Sequence, residues 1–543
     1  MLFKDAMARN FLLFILILQT ILYWNAFSAD FIFDDLSLIL RNENLTLHSV
    51  WFNSLWGETN GVMLYFRPVF MSSILFDNAL FGKQPLGYHI HSFVWHLFSI
   101  FLFFAILHRK SSELQLTEQA KYFTVTLFAF HPILSENVYW ISARNDSLAL
   151  CFSLLTLLLI WREKPQLFWG GMSFLFALLS KETTLAFLAA AFCSGKMLHK
   201  KSKLMLLNVF LFWLFWRWLI GVSTDSIQWI ELQMMISYIP NTLVEQFSSL
   251  IWPWPLSLAA SIYSISLDWW NWIFALITIG FFVYFGLKKP MLRFWIFFGL
   301  FAVALSYAPI IAFKTIGDRY WVTMILPWSL ILGQISHRII VVLAVATWSM
   351  LIWTRGLDFQ NNYQFWESEY YQYPSSYSAV HFAQISYETS ISLREIDPEH
   401  EQQFLLHSYE LYKEGYSFPP PLFFHSCSAF LTVSTKINPP QKALEDALWI
   451  QELGCAFNDT GLGLMAVIYA QVGNWEQVNK IIAHHPQDPY YRIDVVEALI
   501  ALRQNQPLVY CSIERKFSSV ETLQRQIKQI APQQQIVDCS LHQ

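Results

Sequence analysis

Charge is what this sequence has least of. Only 14% of its 543 residues are Asp, Glu, Lys or Arg, against roughly a quarter in a soluble domain. A single water-soluble fold is therefore excluded as the account of the whole chain. The net charge of -4 comes with no basic patch, so no nucleic-acid partner is expected. Metal-ligand spacing is missing as well. His89 and His96 share a helix face but lie too far apart for a pair of ligands at i and i+4, and His91 is off that face. Internal repeats, common in transporters, are absent from the apolar part. Cysteine is scarce, with six in all.

Apolar residues are abundant. They make up 55% of the chain, and of its 24 Trp only Trp366, Trp449 and Trp475 lie beyond residue 355. The others sit among apolar runs and often at their ends, as Trp24, Trp140, Trp161, Trp169 and Trp321 do, where membrane-interface belts favour amphipathic rings. Runs near the roughly 20 residues that cross a bilayer fall at 10–29, 87–107, 121–135, 146–161, 166–180, 183–198, 203–222, 269–287, 292–311, 321–336 and 338–354. The stretch 238–262 carries Pro240, Pro253 and Pro255 and reads as re-entrant or interfacial. Lys4 and Arg9 before Phe11–Tyr23 also fit a signal peptide, but continuing downstream spans favour an uncleaved first helix.

About eleven spans place the chain ends on opposite sides of the membrane. One set of loops holds Lys110, Lys121, Arg162, Lys200, Lys201, Lys203, Lys288, Lys289 and Arg338, whereas the opposite set holds most of the acids. The positive-inside rule then makes the N-terminus cytoplasmic and the C-terminal part extracytoplasmic, facing periplasm, cell exterior or ER lumen. Beyond Arg355 the pattern turns amphipathic, with helix-length segments separated by Pro or Gly. Residues 1–355 and 356–543 are accordingly expected to be separate domains. Ala466, Tyr469, Gly473, Val478 and Ile482, within Leu462–Pro489, match the small, aromatic and turn positions of a tetratricopeptide repeat. Cys427, Cys455, Cys511 and Cys539 lie in this second part, where at least one disulfide is expected in an oxidising compartment; the pairing is open.

The polar residues at span ends carry the candidate chemistry. Asp34 and Asp35 follow the first span; such a pair is either a solvated loop or a base, cation ligand or acceptor ligand. Arg67, His131, Glu136, Arg144, Asp146, Lys181, Glu182, Asp318 and Arg319 fall on the same membrane face. Singly they read as interfacial anchors or helix caps; together they would line one polar cavity. A guanidinium fork there suits a phosphate.

An ordered series then stands out: Asp30-Phe31-Ile32-Phe33-Asp34-Asp35, Phe66-Arg67-Pro68, Ala79-Leu80-Phe81-Gly82, Gly87-Tyr88-His89, Phe130-His131-Pro132 and Glu136. It continues with Ala143-Arg144-Asn145-Asp146, Leu179-Ser180-Lys181-Glu182-Thr183 and Asp318-Arg319-Tyr320, and beyond the spans with Trp366-Glu367 and Pro374. It resembles the transmembrane and tetratricopeptide-repeat-containing O-mannosyltransferases and their bacterial relatives, which are GT-C glycosyltransferases. The repeats are fewer and more eroded here than in that family.

The resemblance implies an all-α fold, a multi-pass transmembrane bundle followed by a repeat-like helical solenoid that binds a protein acceptor. It implies a polyprenyl-phosphate-monosaccharide donor and inverting transfer to a hydroxyl on the outer face. Asp35, with Asp34 as the alternative, would be the base, and Arg67, Arg144, Lys181 and Arg319 would neutralise the leaving phosphate. A single-phosphate donor resembles the metal-independent branch, although paired acids are able to hold a divalent cation. Rival readings are transfer to a glycolipid or cell-wall polymer, and a non-enzymatic transporter or membrane-anchored scaffold.

Overall fold

The computed structural model describes residues 5–43, 45–52, 66–221, 239–254, 256, 260–261, 269–289, 291–313, 315–418, 427–483, 492–515, 520–537 and 539. Tyr65 and the end of the repeat-like stretch, residues 484–489, lie outside them. So does most of 255–262, whose re-entrant reading is left to the helix that precedes it. Apart from a two-residue antiparallel pairing of Ala260–Ser261 with Thr315–Ile316, every regular element described is helical.

The chain forms two compact units, Met1–Tyr373 and Pro374–Gln543. The first contains α1 (Ala6–Leu22), α2 (Leu47–Phe52), α3 (Pro68–Phe81), α4 (Pro85–Lys110), α5 (Glu118–Ala129), α6 (Glu136–Tyr139), α7 (Arg144–Ile160) and α8 (Leu167–Leu178). It continues with α9 (Leu185–Cys193), α10 (Lys200–Leu219), α11 (Ile239–Ile251), α12 (Trp269–Lys288), α13 (Arg293–Phe313), α14 (Ile325–Ile335), α15 (Arg338–Asp358) and α16 (Asn362–Gln372). Each of the eleven apolar runs holds a helix. Four stretches among the described residues are long and apolar enough to cross a membrane: Pro85–Lys110, Ile141–Ile160, Lys200–Leu219 and Arg338–Asp358.

The helix ends follow local chemistry. Asp5 caps α1 by accepting the Met7 N–H, and Thr117 caps α5 by accepting that of Ala120. Pro68 and Pro85 open α3 and α4, where no N–H is needed. His108, Arg109 and Lys110 close α4, where cations meet the negative end of the helix dipole.

Burial separates the centre of the bundle from its rim. The Ile141–Ile160 stretch is 78% buried inside the protein, whereas Lys200–Leu219 is only 17% buried. Leu211, Phe215 and Trp218 on α10, and Ile340, Leu343 and Met350 on α15, project outward, as suits contact with lipid. Without a hydrophobic force between helices in a bilayer, close packing depends on small residues. Gly333 of α14 lies against Thr124 of α5, and Gly356 of α15 against Tyr139 and Asn25; a methyl group at either would collide with these neighbours.

The composition changes at residue 355, but the structural division falls later, between Tyr373 and Pro374. The reason is α16. Arg355 forms a buried 3.0 Å ion pair with its Glu369, and Phe365 and Trp366 are buried against Phe33. Residues 356–373 therefore pack with the first unit.

The second unit contains α17 (Ser376–Leu393), α18 (Pro398–Gly415), α19 (Cys427–Ile437), α20 (Pro440–Glu452), α21 (Asp459–Gln471), α22 (Trp475–Ala483), α23 (Arg492–Arg503), α24 (Pro507–Glu514) and α25 (Val520–Ile530). Helices adjacent in sequence pack on one another. A capping box between Ser375 and Ser378 starts α17, and Gly473 supplies φ 81° to the turn between α21 and α22. Leu431, Ala443, Ala447, Leu464, Met465 and Ile468 form one core cluster. Two disulfides, Cys427–Cys455 and Cys511–Cys539, each close a 28-residue separation. Cys151 and Cys193 are free thiols.

Candidate active site

The loop after α1 is pinned before it reaches its carboxylates. Asp30 N–H donates to the Gln360 carbonyl at 2.9 Å, and Phe33 N–H donates to Asn362 Oδ1 at 2.9 Å. Phe33 has φ 48°, a left-handed conformation that is a genuine outlier for a bulky residue. The chain then enters a π-helical turn, Leu36–Leu40, which buries Leu38 and Ile39.

The neighbouring aspartates meet different surroundings. Asp35 is fully buried. Its Oδ1 accepts the Ser142 N–H at 2.8 Å and the Ser142 hydroxyl, and its Oδ2 accepts the Ile32 N–H at 3.4 Å. Burial pushes its pKa up to about 7 against the pull of these hydrogen bonds, and the charge on Asp34 adds to the rise. Asp34 is partly exposed. Burial raises it to about 6, while Arg319 and Arg67 pull it down.

Three cationic groups gather on the Asp34 side. Arg67, just before α3, contacts Glu182 at 2.9 Å. Glu182 opens the 3-10 turn before α9 and also contacts Arg217 of α10 at 3.4 Å. Lys181 pairs with Asp146 at 2.5 Å. Burial lowers its pKa to about 8, opposed by Asp146 and reinforced by Arg319 and Arg67. Arg319, in the 3-10 helix Asp318–Met324, lies 4.2 Å from the centre of the Trp140 ring and 5.3 Å from that of Tyr320. Its Nη1 is buried without a hydrogen-bond partner, and Asp34, Asp146 and Glu136 all act on it electrostatically. Arg67 and Arg319 thus act on both Asp34 and Lys181, Lys181 and Arg319 share the Tyr320 ring, and an unspent guanidinium donor among these cations is suited to an anion.

The other sequence candidates divide. Arg144 is fully buried and its donors are committed: Nη1 to Asp77 at 2.5 Å and Ser73 at 3.2 Å, Nε to Ser92 at 2.9 Å, and Nη2 to the Tyr88 carbonyl at 2.7 Å. Asp77 also binds His91 at 2.6 Å. This network ties α3, α4 and α7 together and engages each of the three Arg144 side-chain nitrogens within the fully buried interior. His131 packs 4.7 Å from Trp348, and its Nε2 meets the Leu250 carbonyl at 3.2 Å, so it holds helices together. Glu136 is buried 3.8 Å from Arg355. Its own burial pushes its pKa up to about 8, with Arg355 and Arg319 opposing and Asp318 adding to the rise. Among the described residues no group of three or more His, Cys, Asp or Glu is arranged to hold a metal ion.

Arg217, Ser142 and Asn362 escaped the sequence reading. Arg217 sits inside an apolar run and Ser142 between Ile141 and Ala143, and neither position has a local signal. A single Arg near the end of a span was the one available hint.

Parts of the chain resemble protein O-mannosyl-transferases. Protein O-mannosyl-transferase TMTC3 of Homo sapiens is 29% identical over 153 residues, which is 27% of this chain and 16% of that protein. TMTC2 of Mus musculus is 33% identical over 144 residues, 25% of this chain and 17% of the relative. Tmtc1 of Drosophila melanogaster is 30% identical over 189 residues, 32% and 22% of the two chains. The match thus spans less than a quarter of the length of each of these relatives. No protein-family model matches the chain, and no solved structure matches it.

Proposed function

We propose that the protein is an inverting GT-C glycosyltransferase that moves a monosaccharide from a polyprenyl phosphate to a hydroxyl, a protein Ser or Thr, outside the cytoplasm. One observation carries this reading: Arg319 offers a buried, unpartnered guanidinium donor in a region that also holds Arg67, Lys181 and the partly exposed Asp34. A general base next to a cluster able to neutralise a leaving phosphate is what alcohol glycosylation from a lipid phosphate requires. The partial resemblance to protein O-mannosyl-transferases supports mannose as the sugar.

In this reading Asp34, rather than Asp35, is the base. Asp35 is engaged by Ser142 and Ile32, whereas Asp34 has the exposure an acceptor hydroxyl needs. The acceptor oxygen attacks the anomeric carbon as Asp34 takes its proton. The bond from that carbon to the phosphate oxygen breaks, and polyprenyl phosphate leaves with its charge met by Arg319, Arg67 and Lys181. Arg144 acts as a fold residue. The eleven-span topology with a cytoplasmic N-terminus, and the role of the second unit as a tetratricopeptide-like acceptor platform, belong to the same proposal. The paired helices α21 and α22 and the two disulfides support it.

The test supplies purified protein in lipid nanodiscs with polyprenyl-phosphate [³H]mannose. A Ser/Thr-containing peptide should become labelled, its Ala counterpart should not, and the product should have the inverted anomer. Label entering only glycolipid would favour the polymer or glycolipid reading. Donor left intact with every hydroxyl acceptor would refute a transferase.

A further inference from the structure

The geometry points to α16 as a positioning element for both the candidate base and the anion-binding arginine, acting through Asn362 and Trp366. This rests on the reading of Asp34 and Arg319 given above, and adds what holds them in place.

Phe33, the residue before Asp34, stands in a conformation that a bulky side chain rarely adopts. Such a backbone persists only where its surroundings over-determine it. Here α16 supplies them. Asn362 Oδ1 accepts the Phe33 N–H at 2.9 Å, which fixes the direction in which the backbone delivers Asp34. That acceptor is not needed by α16 itself, because Asn361 already caps the helix by accepting the Gln364 N–H at 2.9 Å. The neighbouring Gln360 binds the same loop through the Asp30 N–H at 2.9 Å, the Asn25 carbonyl at 3.1 Å and the Ser28 hydroxyl at 3.0 Å.

The rings extend the same control to Arg319. Trp366 meets Phe33 edge-on at 5.2 Å, Phe33 meets Trp140 at 5.8 Å, and Trp140 carries the Arg319 guanidinium at 4.2 Å. A continuous row of side chains thus runs from α16 to the arginine, while the amide oxygen of Asn362 fixes the Phe33 backbone from which the Asp34 carboxylate extends. The buried Arg355–Glu369 pair fastens α16 to α15, so the row starts from a fixed point. A displacement of about 1 Å at a reacting group can cost on the order of 100-fold in rate, so these contacts act on catalysis without touching substrate.

The test measures transfer kinetics for Asn362→Leu, Asn362→Asp, Trp366→Leu and Trp366→Phe, with Asp34→Asn in parallel. Asn362→Leu keeps the size but loses the acceptor; its kcat should fall by about tenfold or more, with the donor KM nearly unchanged, because ground-state binding is untouched. Asn362→Asp retains the acceptor and should keep most of kcat, and its added charge should move the acidic limb of the pH profile upward. Trp366→Leu should lower kcat by a similar factor and, because its row of rings also seats Arg319, raise the donor KM, and Trp366→Phe should restore most of both. Folded Leu variants with normal kcat, beside an inactive Asp34→Asn, would overturn the positioning role and leave the proposed base standing. An active Asp34→Asn would instead refute the base. Failure of both Leu variants to accumulate as folded protein would make these contacts determinants of the fold, which also overturns the inference.

Discussion

Replacing Asp34 with Asn removes one charge and keeps the shape of the side chain. If Asp34 takes the acceptor proton, kcat should fall by about 10²–10⁴-fold, equivalent to about 2.7–5.5 kcal/mol of barrier. The surroundings define the rest of the expectation. Asp34 is one of the acidic charges set against Arg319 and Arg67, so its loss makes the region more positive and should leave donor phosphate affinity unchanged or tighter. The defect should therefore appear in kcat and not in donor KM. Asp35→Asn is the control. Its amide oxygen can still serve Ser142, but its NH₂ group would face the Ile32 N–H that Asp35 Oδ2 now accepts. Losing hydrogen bonds to a charged acceptor costs about 1.5–3 kcal/mol each, so Asp35→Asn should lower the melting temperature and the yield of folded protein. The assay pairs labelled-mannose transfer with tryptophan-fluorescence melting in nanodiscs. An Asp34→Asn enzyme with near-normal kcat, beside an Asp35→Asn enzyme that is stable but inactive, would reverse the assignment.

The remaining predictions concern pH, the arginine, the disulfides and the topology. With Asp34 raised to about 6 and Lys181 lowered to about 8, kcat/KM should be highest between those values, fall about tenfold per unit below pH 6 because the protonated acid cannot accept a proton, and decline above pH 8 as Lys181 loses its charge; a flat profile down to pH 4.5 would contradict the base. Arg319→Ala should lower kcat by about 10²–10³-fold, as loss of a donor to developing charge does, and Arg319→Lys should recover only part of it because the fork is gone. Replacing Cys511 and Cys539 with Ser should destabilise the second unit by about 3–4 kcal/mol, the chain-entropy value for a loop of 28 residues, measured as a shift in urea midpoint. In oriented vesicles, a membrane-impermeant amine reagent should reach Lys413 and Lys442 from the face opposite to that exposing Lys200 and Lys201; labelling of all four from one side would overturn the proposed topology.

Much of the architecture was legible because a bilayer imposes a one-dimensional rule. A helix needs a sustained apolar run, and each of the eleven runs holds one. Local chemistry was equally readable: prolines at the starts of α3 and α4, and glycine at the turn after α21. The acids and bases at span ends marked the candidate residues, since such groups are costly in hydrocarbon and collect where they find water or each other.

Partnership was not legible, because it depends on atoms brought together from distant parts of the chain. Arg67, Arg144, Lys181 and Arg319 look alike as sequence. Only the fold ties Arg144 to Asp77, Ser73 and Ser92 within the bundle and leaves Arg319 on Trp140 with an unspent donor. Asp34 and Asp35 are adjacent and chemically identical, and the difference between them comes from Ser142, more than a hundred residues away. The domain edge moved for a similar reason: composition turns polar at residue 355, while the Glu369 ion pair and the Trp366 ring hold α16 to the first unit. The sequence by itself determined where helices form and that the polar groups collect at the ends of apolar runs, since both follow from local hydrophobicity and charge. Which carboxylate is exposed and which cation keeps a free donor were decided by tertiary structure alone, through long-range hydrogen bonds and burial.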